Sequence, residues 1–311
     1  GPVGGRPGHL MREMFKSIPP LWLGVIYALS STFMIAVLNL FAKLLAEENF
    51  HAVELVFLRN LFGIFIIGAI AFYYARNWDL FRTGRLKDHI LRSTLGTLGV
   101  GFIFAAYAYL PLTTAVVLIF TSSLMIPVLG LIFLGESVGP YRWAAVVIGF
   151  AGVVLMTGFS PAIPVFGFIL AMLGAFFNAS VMVALRSLGQ TEHPLTTAFY
   201  FMLFGMIMTL PILPFVASGH YSLDVMPYIA GLIFFGSVSH IAKNAMYIHL
   251  PAAVGAPFVY TALIWSALFD FTVFGYIPDW SIWAGGAIVI FSNLFLIWRE
   301  NRAAKAKAFI P

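Results

Sequence analysis

The sequence predicts an all-α integral membrane protein of ten transmembrane helices, arranged as two inverted five-helix repeats. Three observations carry this expectation: the composition, the placement of the basic residues, and a self-similarity between the two halves of the chain.

Of the 311 residues, 61% are hydrophobic and only 9% are charged, against roughly a quarter charged in soluble domains. Water does not dissolve such a chain, and lipid does. The charges are also segregated, leaving uncharged stretches at Ser93–Gly135 and Trp143–Leu185. Each is about twice the roughly 20 residues that one span needs, so each holds two helices and a turn. Pro111 breaks the first stretch, and Gly158-Phe159-Ser160-Pro161 breaks the second. The absence of cysteine excludes disulfides and thiolate metal sites. The net charge of +5 raises nucleic acid as a partner, but the basic residues sit in loops beside spans, where membrane topology explains them better. Residues 1–10, opening Gly1-Pro2, read as a tag remnant with Met11 the natural start, and the first apolar segment is too long for a cleavable signal peptide.

The first five spans are expected at Leu21–Lys43, Ala52–Ala75, His89–Tyr109, Thr113–Phe133 and Tyr141–Thr157. The second five are expected at Pro164–Leu188, Pro194–Ala217, Asp224–His249, Ala252–Phe274 and Trp280–Trp298. Residues 18–158 then form the first repeat, 161–299 the second, and 300–311 a cytoplasmic tail. With the N-terminus inside, thirteen Lys and Arg residues, among them Arg76, Arg82, Arg85, Lys87, Arg92, Arg142 and Arg299, fall on the cytoplasmic side. The other side receives only Lys43, while Arg59 and Lys243 lie within spans. That asymmetry places both termini in the cytoplasm. Trp22, Trp78, Trp143, Trp280 and Trp298 fall near span ends, as interfacial aromatics do.

Shifting the chain by 140 residues pairs Gly96 with Gly236, Tyr107 with Tyr247, Leu110-Pro111 with Leu250-Pro251, Thr121 with Thr261, Gly135 with Gly275, and Trp143-Ala144 with Trp283-Ala284. Earlier helices match at 142–143: Gly24 with Gly167, Lys43 with Arg186, Gly63 with Gly205. An odd number of spans per repeat forces opposite orientations, and inverted repeats place a substrate site near the midplane between the halves.

Thr113-Thr114-Ala115, Leu118-Ile119-Phe120-Thr121, Pro127, Gly135-Glu136 and Gly149-Phe150-Ala151-Gly152-Val153 together resemble the repeat of the drug/metabolite transporter superfamily, EamA type. Arg59, in Val56-Phe57-Leu58-Arg59, resembles that family's helix-2 arginine. In the second half, Ala256-Pro257-Phe258, Pro278-Asp279, Gly285-Gly286 and Trp298-Arg299-Glu300 are similar to a bacterial branch that transports riboflavin, S-adenosylmethionine and organic acids. The resemblance implies a multi-pass protein of the bacterial inner membrane. The second repeat carries Tyr276 where the first has Glu136, which favours a structural role for Glu136 at a helix end.

An ionisable side chain inside hydrocarbon costs about 2.5–3.5 kcal/mol on insertion scales and is a functional candidate by default. Lys243 shares one helical face with Ser237, His240, Asn244 and Tyr247. It is read as a cation awaiting an anionic substrate group, beside a histidine able to titrate near neutrality; snorkelling to the interface is the alternative. Tyr260 and Trp265, with Thr121, are candidates for a cavity that stacks on a planar substrate, and core packing is the competing reading. Asn39 and Asn178 are expected to face the bundle interior, toward substrate or another helix. Arg59 and Asp270 lie at similar depth, so an Arg59–Asp270 or Arg59–Glu54 ion pair is expected to hold the halves together or form a gate.

No glycine-rich phosphate loop, no His-x-x-x-His motif and no catalytic cluster is present in the sequence, so the chain is read as a transporter that is not an enzyme and uses no cofactor and no metal. A membrane enzyme would gather acids or histidines at one face and carry a long catalytic loop. The expected function is secondary transport of a small organic metabolite, anionic or zwitterionic, such as an organic acid. Alternating access would drive it, proton-coupled or by exchange; an amino-acid or metabolite exporter of the same fold is the alternative. The expected partners are a small-molecule substrate and the lipid bilayer, with the protein a monomer or homodimer.

Overall fold

The outside of this molecule is strongly apolar, and polar side chains lie within its apolar core. Phe65, Val147, Val154, Ile264 and Phe291 are each at least 64% exposed, while Asn60, Thr97, Thr113, Thr114, Ser237 and Asn293 are buried. That arrangement suits a helix bundle solvated by lipid, where apolar side chains face the tails and polar groups must find partners within the protein.

The computed structural model describes residues 20–75, 81–160, 163–188, 194–249 and 252–308; the expected tag remnant at 1–10 lies outside them. Every span is helical: α1 (Pro20–Glu47), α2 (Ala52–Ala75), α3 (Leu86–Tyr107), α4a (Leu112–Phe120) with α4b (Ser122–Leu134), and α5 (Pro140–Phe159). The second set is α6 (Val165–Leu188), α7 (Pro194–Thr209), α8 (Met226–His249), α9a (Ala252–Val259) with α9b (Ala262–Thr272), and α10 (Trp280–Ala308). Among the described residues, seven helices are long and apolar enough to cross a membrane.

Three helix ends differ from expectation by four residues or more, each for a local reason. α1 runs on to Glu47 and closes with Asn49 at φ 63°, a left-handed residue that asparagine tolerates. α7 stops at Thr209 rather than Ala217, and only a short turn of helix, Leu213–Val216, follows; Pro211 and Pro214 lack the N–H that would continue the ladder. α10 extends past Trp298 to Ala308 through a run of strong helix formers. There Arg142 pairs with Glu300 at 3.2 Å, and Arg299 lies 4.0 Å over the Tyr141 ring. The fourth and ninth spans are each interrupted midway, at Thr121 and at Tyr260-Thr261.

Packing repeats between the halves. α1 packs on α8 as α6 packs on α3; α3 touches α7 as α8 touches α2; α4 touches α6 as α9 touches α1. The pairs α2–α7, α4–α9 and α5–α10 are their own counterparts. Exchanging the halves therefore returns these six principal contacts and the three self-paired ones, as a pseudo-two-fold axis requires. Local geometry repeats too: Gly135 and Gly275 both take positive φ, 66° and 63°, just after α4b and near the end of the ninth span.

Candidate functional site

The second turn of α2 carries Arg59, which is 2% exposed. Its aliphatic stem lies on Gly236 of α8, a close approach that only a residue without Cβ permits. The repeat makes the counterpart of this contact legible: Phe201, at the position equivalent to Arg59, lies on Gly96 of α3, the equivalent of Gly236. Arg59 and Phe201 then meet each other, with the guanidinium carbon 5.6 Å from the ring centre and 5.9 Å from that of Phe104. Arg92, in the second turn of α3, approaches the same Phe201 ring at 5.7 Å. Such distances are within the roughly 6 Å of a cation–π contact.

On α8, His240 adds its ring 5.9 Å from that of Phe201. Arg59, Arg92 and Lys243 all lie within electrostatic range of His240, and Arg92 within range of Lys243. Lys243, on the same helix, has an exposed side chain. Arg59, Arg92 and His240 thus converge from α2, α3 and α8 around one aromatic ring, with Lys243 within electrostatic range of His240 and Arg92. Among the described residues, no carboxylate pairs with Arg59, Arg92 or Lys243. The ion pairs lie elsewhere, at Lys43–Glu47, Arg85–Asp88 and Arg142–Glu300.

The expected ion pairs of Arg59 are not formed, because both carboxylates have other work. Glu54 accepts from the Ser218 backbone N–H at 2.9 Å, the Ser218 hydroxyl at 3.2 Å and the Tyr221 phenol at 2.6 Å. Asp270 accepts from the backbone N–H groups of Leu112 and Thr113 at 3.0 and 2.7 Å, and from the Thr113 hydroxyl at 2.6 Å. It thereby caps α4a, whose own N-cap, Pro111, offers no side-chain acceptor. Lys43 grips the other side of that turn, donating to the carbonyls of Tyr107 and Leu110 at 3.1 and 3.0 Å. Lys43 is therefore a buried C-terminal cap of α3 rather than a loop charge.

The remaining candidates fall at other places. Thr121 is buried and donates to the Leu118 carbonyl at 2.6 Å. Tyr260 meets Phe120 edge to face at 4.9 Å, and Trp265 meets Phe33 of α1, also at 4.9 Å. Asn178 donates to the Ser122 hydroxyl at 3.2 Å, and Asn39 is half-buried on α1. The side chains of Asn244 and Tyr247 lie outside the described ones. Sequence reasoning missed Arg92, Phe104 and Phe201. Arg92 had a signal, since it falls inside the expected third span; Phe201 was marked only by its register with Arg59, and Phe104 by nothing.

The EamA-like transporter family matches residues 22–158 and, separately, 165–298. An S-adenosylmethionine uptake transporter of Rickettsia bellii is 26% identical over 83% of this chain and 87% of its own length. A riboflavin transporter of Rhizobium johnstonii is 27% identical over 79% of this chain and 82% of its own. The pseudopaline exporter CntI of Pseudomonas aeruginosa is 24% identical over 88% and 95%. One solved crystal structure superposes with a TM-score of 0.58 at 17% identity, covering 86% of this chain and 96% of its own; at that identity the likeness is one of fold.

Proposed function

Because the chain belongs to the EamA-like transporter family, we propose that it carries a small organic anion across the membrane by alternating access. Transporter, small-molecule substrate and multi-pass membrane embedding follow from the family and the apolar helices; the family is one of transporters, not enzymes. The anionic substrate rests on one observation: Arg59, Arg92, His240 and Lys243 converge without a carboxylate among the described residues. A buried cation is costly without a compensating charge, and in a carrier the substrate supplies that charge.

Relatives handle S-adenosylmethionine and riboflavin. The first carries a sulfonium cation and the second no net charge, so neither offsets this cluster as an organic acid does. Transport is driven by a proton gradient or by exchange. A thermal-shift screen of purified protein against carboxylates, amino acids, flavins and S-adenosylmethionine tests the reading. Carboxylates alone should stabilise the protein; stabilisation by S-adenosylmethionine alone would sink it.

The orientation proposed from the Lys and Arg bias has both termini in the cytoplasm of a bacterium, across its inner membrane. His220 is exposed in the connection before α8, on the face away from the termini. In intact cells, cysteines placed at His220 and Lys305 should react with an impermeant label only at His220. Labelling at Lys305 alone would reverse the orientation.

A further inference from the structure

Resting on the anion-transport reading, we infer that the substrate carries two negative charges, one held by the first repeat through Arg59 and Arg92, the other by the second through Lys243 and His240. The class is a dicarboxylate or a phosphate monoester, not a monocarboxylate or an amino acid.

The donors around Phe201 are largely unspent. A guanidinium has five N–H donors. Arg59 gives one to the Asn60 side-chain oxygen at 3.3 Å, and Arg92 gives one to the Thr197 carbonyl at 3.3 Å. Both acceptors are neutral. The Nε of each guanidinium is buried with no acceptor, as are Asn60 Nδ2 and Thr97 Oγ1. These orphans sit on α2 and α3 and are not surface groups awaiting water: Arg59 is 2% and Asn60 0% exposed. A guanidinium held over a ring by its face keeps its in-plane N–H groups for an acceptor such as a carboxylate or phosphate.

Charge count then sets the substrate. Arg59 and Arg92 are two permanent cations before Lys243 is counted, so one monoanion leaves at least one guanidinium uncompensated. The distribution between the halves matters as much as the number. Arg59 and Arg92 belong to the first repeat, His240 and Lys243 to the second, and the position equivalent to Arg59 in the second repeat is the neutral Phe201. A single anionic group engages one half. A two-headed anion engages both and ties its own binding to how the halves pack, which is what a carrier moving one repeat against the other requires.

The test uses the full chain in detergent and in proteoliposomes. Succinate and phenyl phosphate are the dianions, with monomethyl succinate and benzoate as monoanionic counterparts and glutamate as the amino acid. Succinate or phenyl phosphate should bind at least tenfold more tightly than its monoanionic counterpart, and only the dianion should be taken up; which of the two wins separates carboxylate from phosphate. Arg92→Gln should erase the difference between succinate and monomethyl succinate, while Arg92→Lys, which keeps the charge but not the planar fork, should retain it in part. If the monoanions bind and move as well as the dianions, the two-charge inference falls and anion transport stands. If neither dianion binds, the inference falls; if only amino acids, flavins or cations bind, both fall.

Discussion

Phe120 and Tyr260, which occupy equivalent positions in the two repeats, meet edge to face with ring centres 4.9 Å apart. The next residue in each half is a threonine at a break in its helix, with φ and ψ of −63° and −17° at Thr121 and −63° and −18° at Thr261. Each hydroxyl donates back three residues at 2.6 Å, to Leu118 and Phe258. Threonine bonding back to its own helix bends it, and Pro127, after the first break, and Pro257, before the second, weaken each ladder again. The two interrupted spans meet where the pseudo-symmetry relates them, which pairs the threonines across the bundle.

Thr121→Val and Thr261→Val keep the shape and remove the hydroxyl. Each should lower stability by about 1 kcal/mol, the usual net worth of one such bond, seen as a lower unfolding temperature in detergent. The double variant should lose uptake rate out of proportion to stability if the bends are hinges, and only in proportion if they are packing.

Asp270 and Lys43 grip the tight Leu110-Pro111 turn from α9b and α1. Asp270→Ala removes a fully buried carboxylate that holds three donors and should cost about 3 kcal/mol. Asp270→Asn should recover part of that loss, since one amide oxygen still accepts. Both charges act on one turn, so the double variant with Lys43→Ala should cost less than the two single losses together. Strict additivity in that cycle would show that the two caps act independently.

The fold was legible because lipid imposes strong rules: apolar length, Lys and Arg bias, and the 140-residue register of Leu-Pro, Thr and Gly positions. The helix breaks at Thr121 and Thr261 were not, because backbone angles there come from a hydroxyl bond that any mid-span threonine could make. At the site, Lys243 and His240 stood out as polar residues on one face, and the structure brings Arg59 to them. Depth along the membrane misled the pairing of Arg59. Equal depth with Asp270 said nothing about azimuth, and Asp270 faces the α3–α4 turn instead. Arg92 was counted as a flanking charge because topology rules weigh charges near span ends alike, whichever way their side chains turn.

Glu54 fastens the connection between α7 and α8 onto α2 through Tyr221 and Ser218. Burial first, and the adjoining Glu54 carboxylate second, push the Tyr221 phenol up to about 12, from an ordinary value of about 10. A phenol whose folded-state pKa is raised contributes stability that is present below about 10 and is lost as pH climbs toward 12. Thermal unfolding followed from pH 9 to 12 should therefore fall more steeply for the native protein than for Tyr221→Phe. Parallel curves would mean that this bond does not hold the connection in solution.

Lys243 is the sharpest residue to remove. It lies within electrostatic range of Arg92 and His240 and, among the described residues, no carboxylate pairs with it. In the empty protein it adds a third positive charge to an already positive site, so Lys243→Ala should raise the unfolding temperature without ligand. The same substitution should abolish stabilisation by an anionic substrate, because the second repeat then keeps no permanent cation at the site. Lys243→Arg should restore binding in part, since a wide planar fork does not reproduce a compact ammonium. A lysine that merely snorkels behaves differently: its loss leaves ligand stabilisation and uptake intact and does not raise the stability of the empty carrier. The two readings are separated by a pair of unfolding curves, one with substrate and one without.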